Sequence, residues 1–136
     1  MNAGSKAKMT KFVVDAYAWI EYLKGSEKGR RVAEIIENDL NEVFTSAATV
    51  SEIVSKSMRE NKEANIALSH INNLSIVINL TQDISIAAGE LHFETKKVNK
   101  EFGMLDSFVA ATARKINAKI LTGDEDFKNF KNALFI

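Results

Sequence analysis

The sequence alternates short apolar runs with stretches of helical period, and this alternation leaves the chain few architectures. Phe12-Val13-Val14, Val43-Phe44-Thr45, Ser75 to Leu80, Lys119 to Thr122 and Ala133 to Ile136 are brief and rich in β-branched or aromatic residues, as buried strands are. Between them the apolar residues take helical spacing. Ala16, Trp19, Ile20 and Leu23 form one set, and Val32, Ile35, Ile36 and Leu40 a second beyond the break at Lys24 to Gly29. Val50, Ile53, Val54 and Met58 form a third, in a helix predicted over 49–59. Further helices are predicted over about 62–73, 82–98 and 105–116, with His70 on the apolar stripe of the first and therefore expected in the core. Strands separated by helices predict an α/β domain with a short, mainly parallel central sheet and helices on both faces.

In such sheets, sites form outside the carboxyl ends of the strands. That rule singles out four acids. Asp15 ends the first strand, and Asp124 follows a late one across a two-residue turn. Glu52 lies near the start of the helix after the second strand, and Asp106 in the first turn of its own helix. Each has a plain alternative explanation. Asp15 and Asp124 suit helix caps, Asp106 complements a helix N-terminus, and Glu52 falls opposite an apolar arc, where glutamates are usually solvated. Independent caps, however, have no reason to share one edge of a sheet.

Carboxylates gathered at that edge would repel one another and raise one another's pKa unless a cation neutralised them. All-oxygen ligands, with no cysteine in the chain, point to Mg²⁺ or Mn²⁺. A divalent ion there would activate water and stabilise charge on a phosphodiester, and an acid not bound to it could hold the attacking water.

The remaining composition narrows the function further. Hydrophobic residues make up 46% and charged residues 26%, as in ordinary globular proteins. The net charge of zero means that nucleic-acid binding must rest on local basic patches and bound cations. The missing cysteines exclude disulfides, thiol nucleophiles and cysteine-built zinc sites, and two histidines leave little for a histidine-built one. No apolar run approaches the roughly 20 residues of a membrane span, so no membrane partner is expected and a cytoplasmic location is. Residues 1–8, MNAGSKAK, precede a second methionine and are read as a leader or expression scar, with a single domain over 9–136.

Four segments resemble those of PIN-domain ribonucleases, in that family's order. They are Phe12-Val13-Val14-Asp15-Ala16, Thr45 to Ile53 with Glu52, Leu105 to Ala113 with Asp106, and Leu121-Thr122-Gly123-Asp124-Glu125-Asp126-Phe127. The small size is most similar to the VapC toxins of toxin–antitoxin pairs. The resemblance implies a three-layer α/β/α fold and a Mg²⁺- or Mn²⁺-dependent endoribonuclease. It also implies a homodimer, an RNA substrate and a cognate antitoxin that inserts at the active site. Asp15, Glu52, Asp106 and Asp124 would be the catalytic acids. Asp15, Asp106, Asp124 and Asp126 would hold the metal, with Thr122 and Ser46 as supporting hydroxyls. Asp124 is expected to face the site and Glu125 water, while Asp126 serves either as a ligand behind Asp124 or as a helix cap. Lys24, Lys28, Arg30 and Arg31 cluster near the edge of Asp15 and are candidates for the RNA backbone, a solvated helix start being the plainer account.

The alternative to a nuclease is a PIN-like module that binds RNA or protein without cutting, for which loss of one acid would be the simplest signature. A haloacid-dehalogenase phosphatase would carry Asp-x-Asp where this chain has Asp15-Ala16-Tyr17. A receiver domain would need a second early acid pair, which is missing, and no glycine-rich loop supports nucleotide binding.

Overall fold

The computed structural model describes residues 10–136. The leader expected over residues 1–8 lies outside the described residues. In chain order the elements are β1 (Thr10–Val14), α1 (Ala16–Lys24), α2 (Glu27–Ile36), β2 (Asn41–Ser46), α3 (Ala47–Arg59) and α4 (Ala64–Leu74). They continue with β3 (Ile76–Ile78), α5 (Gln82–Lys96), α6 (Met104–Ile116), β4 (Lys119–Thr122), a 3-10 turn (Glu125–Phe127) and β5 (Ala133–Phe135). The five strands form one sheet in the order β3-β2-β1-β4-β5, and every pairing is parallel.

Strand alternation builds the two cores. Successive side chains of β1 point to opposite faces, so Phe12 and Val14 pack with Trp19, Val32, Ile53 and Ile71. Val13 faces the other way, into a cluster with Phe102, Val109, Ile120 and Phe127. A sheet buried on both faces needs such near-continuous apolar strands, which is why the runs in the sequence are short and unbroken. Trp19 is fully buried, and its indole N–H donates to the Thr45 hydroxyl at 3.1 Å. Truncating it to alanine would cost about 3–5 kcal/mol.

The corner between α1 and α2 depends on Gly29. A Cβ there would stand 2.1 Å from the Glu21 carbonyl oxygen, so the two helices can meet only over a glycine. Two expectations fail in this layer. Leu40 does not extend α2, which ends at Ile36, because Glu37 closes the helix and a turn leads into β2. His70 is not a core residue. It is exposed at the helix surface, edge-on to Tyr22 at 5.9 Å between ring centroids. Helix α3 also begins two residues earlier than its apolar spacing predicts, because Ser46 caps it by accepting from the Ala48 N–H at 3.1 Å.

Candidate active site

All-parallel strands put the ends of β1, β2 and β4 on one edge, and the acids follow from those ends. Asp15 is the first residue after β1. Its backbone N–H still bonds to Leu121 of β4, while its side chain already caps α1. One carboxylate oxygen accepts from the Ala18 N–H at 2.9 Å, and the other accepts from the Thr122 hydroxyl. The cap expected from the sequence is therefore real, and it also fixes the carboxylate in place. Asp15 is only 4% exposed, and burial raises its pKa from 3.8 to about 7 despite those hydrogen bonds. The charges of Asp124 and Asp106 push it in the same direction.

Thr122 links two of the acids. Its hydroxyl donates to Asp15 and accepts the Asp124 N–H at 2.9 Å, bridging the two. Asp124 in turn accepts the Asp126 N–H at 2.9 Å, which folds the segment after β4 into its 3-10 turn. Glu125 points into solvent, as expected.

Asp106 approaches from α6. Its carboxylate turns back onto the Gly103 N–H at 3.0 Å, satisfying one donor of the helix start. Half-burial raises its pKa to about 6, with Asp124 and Asp126 adding to the rise. Glu52 projects from α3 and is partly buried rather than solvated. Its pKa is raised by burial first, then by Asp106 and Asp124. Among the described residues the Glu52 carboxylate makes no hydrogen bond. Ser46 is fully buried and acts by starting the helix that carries Glu52.

Asp15, Glu52, Asp106, Asp124 and Asp126 are thus coupled through space, and none of them forms an ion pair with a lysine or arginine among the described residues. Their chemistry suits a hard divalent cation: oxygen donors only, each costly to ionise without a neutralising charge. Among the described residues, however, no three acids or histidines stand in an arrangement that could hold a metal ion as it is. A cation there would need water to complete its shell or a small movement of the carboxylates. Mg²⁺ ordinarily keeps several waters.

Sequence reasoning did not find Asn99. Its side-chain amide donates to Asp126 at 3.3 Å, and its carbonyl oxygens accept from Glu101 and Phe102, so it ties the loop before α6 to the turn after β4. No local pattern marks such a residue, because its partner lies 27 positions away. Of the candidate basic residues, Lys24 is paired with Glu21 at 3.5 Å and Lys28 donates to the Tyr17 hydroxyl at 3.0 Å, while Arg30 and Arg31 are exposed.

The PIN domain family matches residues 12–133, a span that includes every acid described above. The chain belongs to the PIN-domain family. Among solved structures it is similar to VapC20 of Mycobacterium tuberculosis, described as a sarcin–ricin loop cleaving toxin. The TM-score is 0.72 at 20% identity, over 90% of this chain and 96% of that one. It is also similar to a chain of VapBC2 from Rickettsia felis, solved with a promoter DNA fragment, with TM-score 0.69, 19% identity and coverage of 93% and 97%. A toxin–antitoxin complex from Klebsiella pneumoniae matches with TM-score 0.68, 20% identity and coverage of 90% and 94%. At such identities the likeness is one of fold. No curated protein sequence matches the chain.

Proposed function

We propose that this protein is a Mg²⁺- or Mn²⁺-dependent endoribonuclease, the toxin of a toxin–antitoxin pair. The observation that carries this reading is the meeting of acids from four separate segments, at one sheet edge, with no ion pair to a basic side chain among the described residues. Asp15, Asp106, Asp124 and Asp126 are the residues that would hold the metal. A bound divalent ion there supplies positive charge for the phosphodiester and lowers the pKa of a bound water. Asp15 and Asp106 are fixed by backbone and hydroxyl donors, so they serve as oriented anchors. Glu52 has no such tether and a raised pKa, which suits it to take a proton from the attacking water at its carboxylate.

The partner assignments have their own support. A groove of about 570 Å³ between α1, α3 and α4 is lined by Ile20, Leu23, Ile53, Ile66 and Ala67, with charged residues at its edge, and offers an apolar seat for an antitoxin segment. Ile86 and Phe93 on α5 and Leu105 on α6 leave apolar surface exposed, consistent with a homodimer. No helix among the described residues is long and apolar enough to cross a membrane.

The reading is tested by incubating purified protein with single-stranded RNA, with and without Mg²⁺ or Mn²⁺. Cleavage only with metal, abolished by Asp15→Asn, is expected. RNA that is bound but left intact with either ion would instead favour a non-catalytic PIN-like binding module.

A further inference from the structure

The turn that carries Asp124 has a neighbour that the acid cluster does not explain. A Cβ at Gly123 would stand 2.3 Å from Cε1 of Tyr17, 2.7 Å from Cδ1 and 2.9 Å from Cζ. The Tyr17 ring therefore lies directly on the backbone just before Asp124, and only glycine permits it. Tyr17 also follows Asp15 by two residues, so one ring is fixed beside segments that carry two of the acids. Its hydroxyl accepts a hydrogen bond from the Lys28 ammonium at 3.0 Å, which stands 5.3 Å from the ring centroid.

What sets Lys28 apart is a side-chain anchor beside the acid-bearing turn. Lys24, Lys56, Lys62, Lys97 and Lys115 each meet a carboxylate, while Lys11 and Lys96 donate to the backbone carbonyls of Ile116 and Lys100. Lys28 is held by a neutral phenol, so its position is fixed while its charge stays available. Glu21, an acid that acts on Lys28 through space, is engaged by Lys24 and by the Ser26 hydroxyl. An RNA strand approaching a rim of carboxylates meets repulsion, and a chain of zero net charge offers no general field to offset it. A cation anchored to the acid-bearing turn answers that need.

We infer that Lys28, braced by Tyr17 on Gly123, forms a phosphate-binding subsite that seats the RNA backbone beside the acid cluster. The inference rests on RNA being the substrate, and it separates Lys28 from Lys24, Arg30 and Arg31. Tyr17 acts through Lys28 as a positioning residue. Such a contact gives affinity and register without reading sequence.

The test measures cleavage of a single-stranded RNA oligonucleotide, and its binding to the Asp15→Asn protein by fluorescence anisotropy over a range of salt. In the otherwise parent enzyme, Lys28→Met should raise KM about five-fold with kcat little changed, the scale of an exposed charge contact. In the Asp15→Asn background, it should lower the slope of log affinity against log salt by about 0.7, the value for one phosphate on a single strand. Tyr17→Phe, which keeps the ring and removes the anchor, should shift KM in the same direction by less, and Lys28→Arg should recover most of the loss. Lys119→Met, at the opposite end of the sheet, serves as the control and should match the parent. A Lys28→Met enzyme with parental KM and salt slope overturns the subsite while leaving the nuclease reading intact. A parent that binds RNA with a Lys28-dependent salt slope but never cuts overturns the nuclease reading and leaves the subsite standing. A parent that neither binds nor cuts overturns both.

Discussion

Acids occupy two kinds of place in this molecule, and their surroundings differ in sign. On the outer helices each carboxylate of an ion pair has a cation beside it: Glu21 with Lys24, Glu60 with Lys56 and Lys62, Glu94 with Lys97, and Asp83 with Lys115. Lys115 and the Thr81 hydroxyl lower the pKa of Asp83 to about 2. At the carboxyl edge of the sheet, burial and neighbouring acids raise Asp15 to about 7 and Asp106 to about 6. A chain with equal numbers of acidic and basic residues had enough lysines to neutralise both regions. Among the described residues every ion pair stands on the outer set of acids and none on the rim. Unneutralised buried carboxylates are costly to a fold, so their concentration at one edge is an argument for function rather than for stability.

Breaking the rim should therefore affect activity far more than breaking the surface pairs. The largest expected effect is that of Asp15→Asn, which keeps the shape of the cap and removes the charge. RNA cleavage should fall by about 10²–10⁴-fold, the range for loss of a group acting directly on the reaction. Asp126→Asn should be milder. Asp126 is the outermost of the proposed metal-holding acids and keeps its Asn99 contact as asparagine, so Mn²⁺ affinity measured by calorimetry should fall about 10–100-fold.

Stability should respond to pH in opposite directions in the two regions. A folded pKa raised above the unfolded one means that the native state holds its proton more tightly, so stability falls as the proton is lost. For Asp15 and Asp106, the metal-free protein should lose stability as pH rises from about 4 to about 7. Urea unfolding across that range should show the decline, and Asp15→Asn should flatten much of it. Asp83 is the reverse: its contribution is present above about 3.8 and lost as pH falls towards 2. The smallest effect belongs to Lys115→Met. An exposed pair contributes little, so the melting temperature and the cleavage rate at neutral pH should both stay near the parent's.

The sequence was most legible where one residue serves two ends. Asp15 could be read from the end of the first strand because it caps α1 and faces the site at once. Thr122 and Asp124 follow from a strand of four residues whose end is plain in the pattern KILT. Glu52 was legible as a position but not as an environment. Its place opposite the apolar arc of α3 predicts solvent, yet α6 brings Asp106 close to it, and periodicity along one helix carries no information about a second. His70 failed for a related reason, since the apolar stripe of α4 turns inward at Ala67 and Ile71 and leaves the imidazole at the surface. Asn99 and the Tyr17–Gly123 contact depend on segments distant in sequence, which only the folded chain brings together.

Among the described residues the rim acids form no ion pair with a cation of the protein's own, and we propose that a divalent ion takes that place. Calorimetric titration of Mn²⁺ into metal-free protein near pH 7, in two buffers of different ionisation enthalpy, tests it most directly. The account predicts binding that is lost in Asp106→Asn and that releases protons, because ligation must displace the proton that burial favours on Asp15. Absence of binding at millimolar Mn²⁺, or equal binding by Asp106→Asn and the parent, would contradict it.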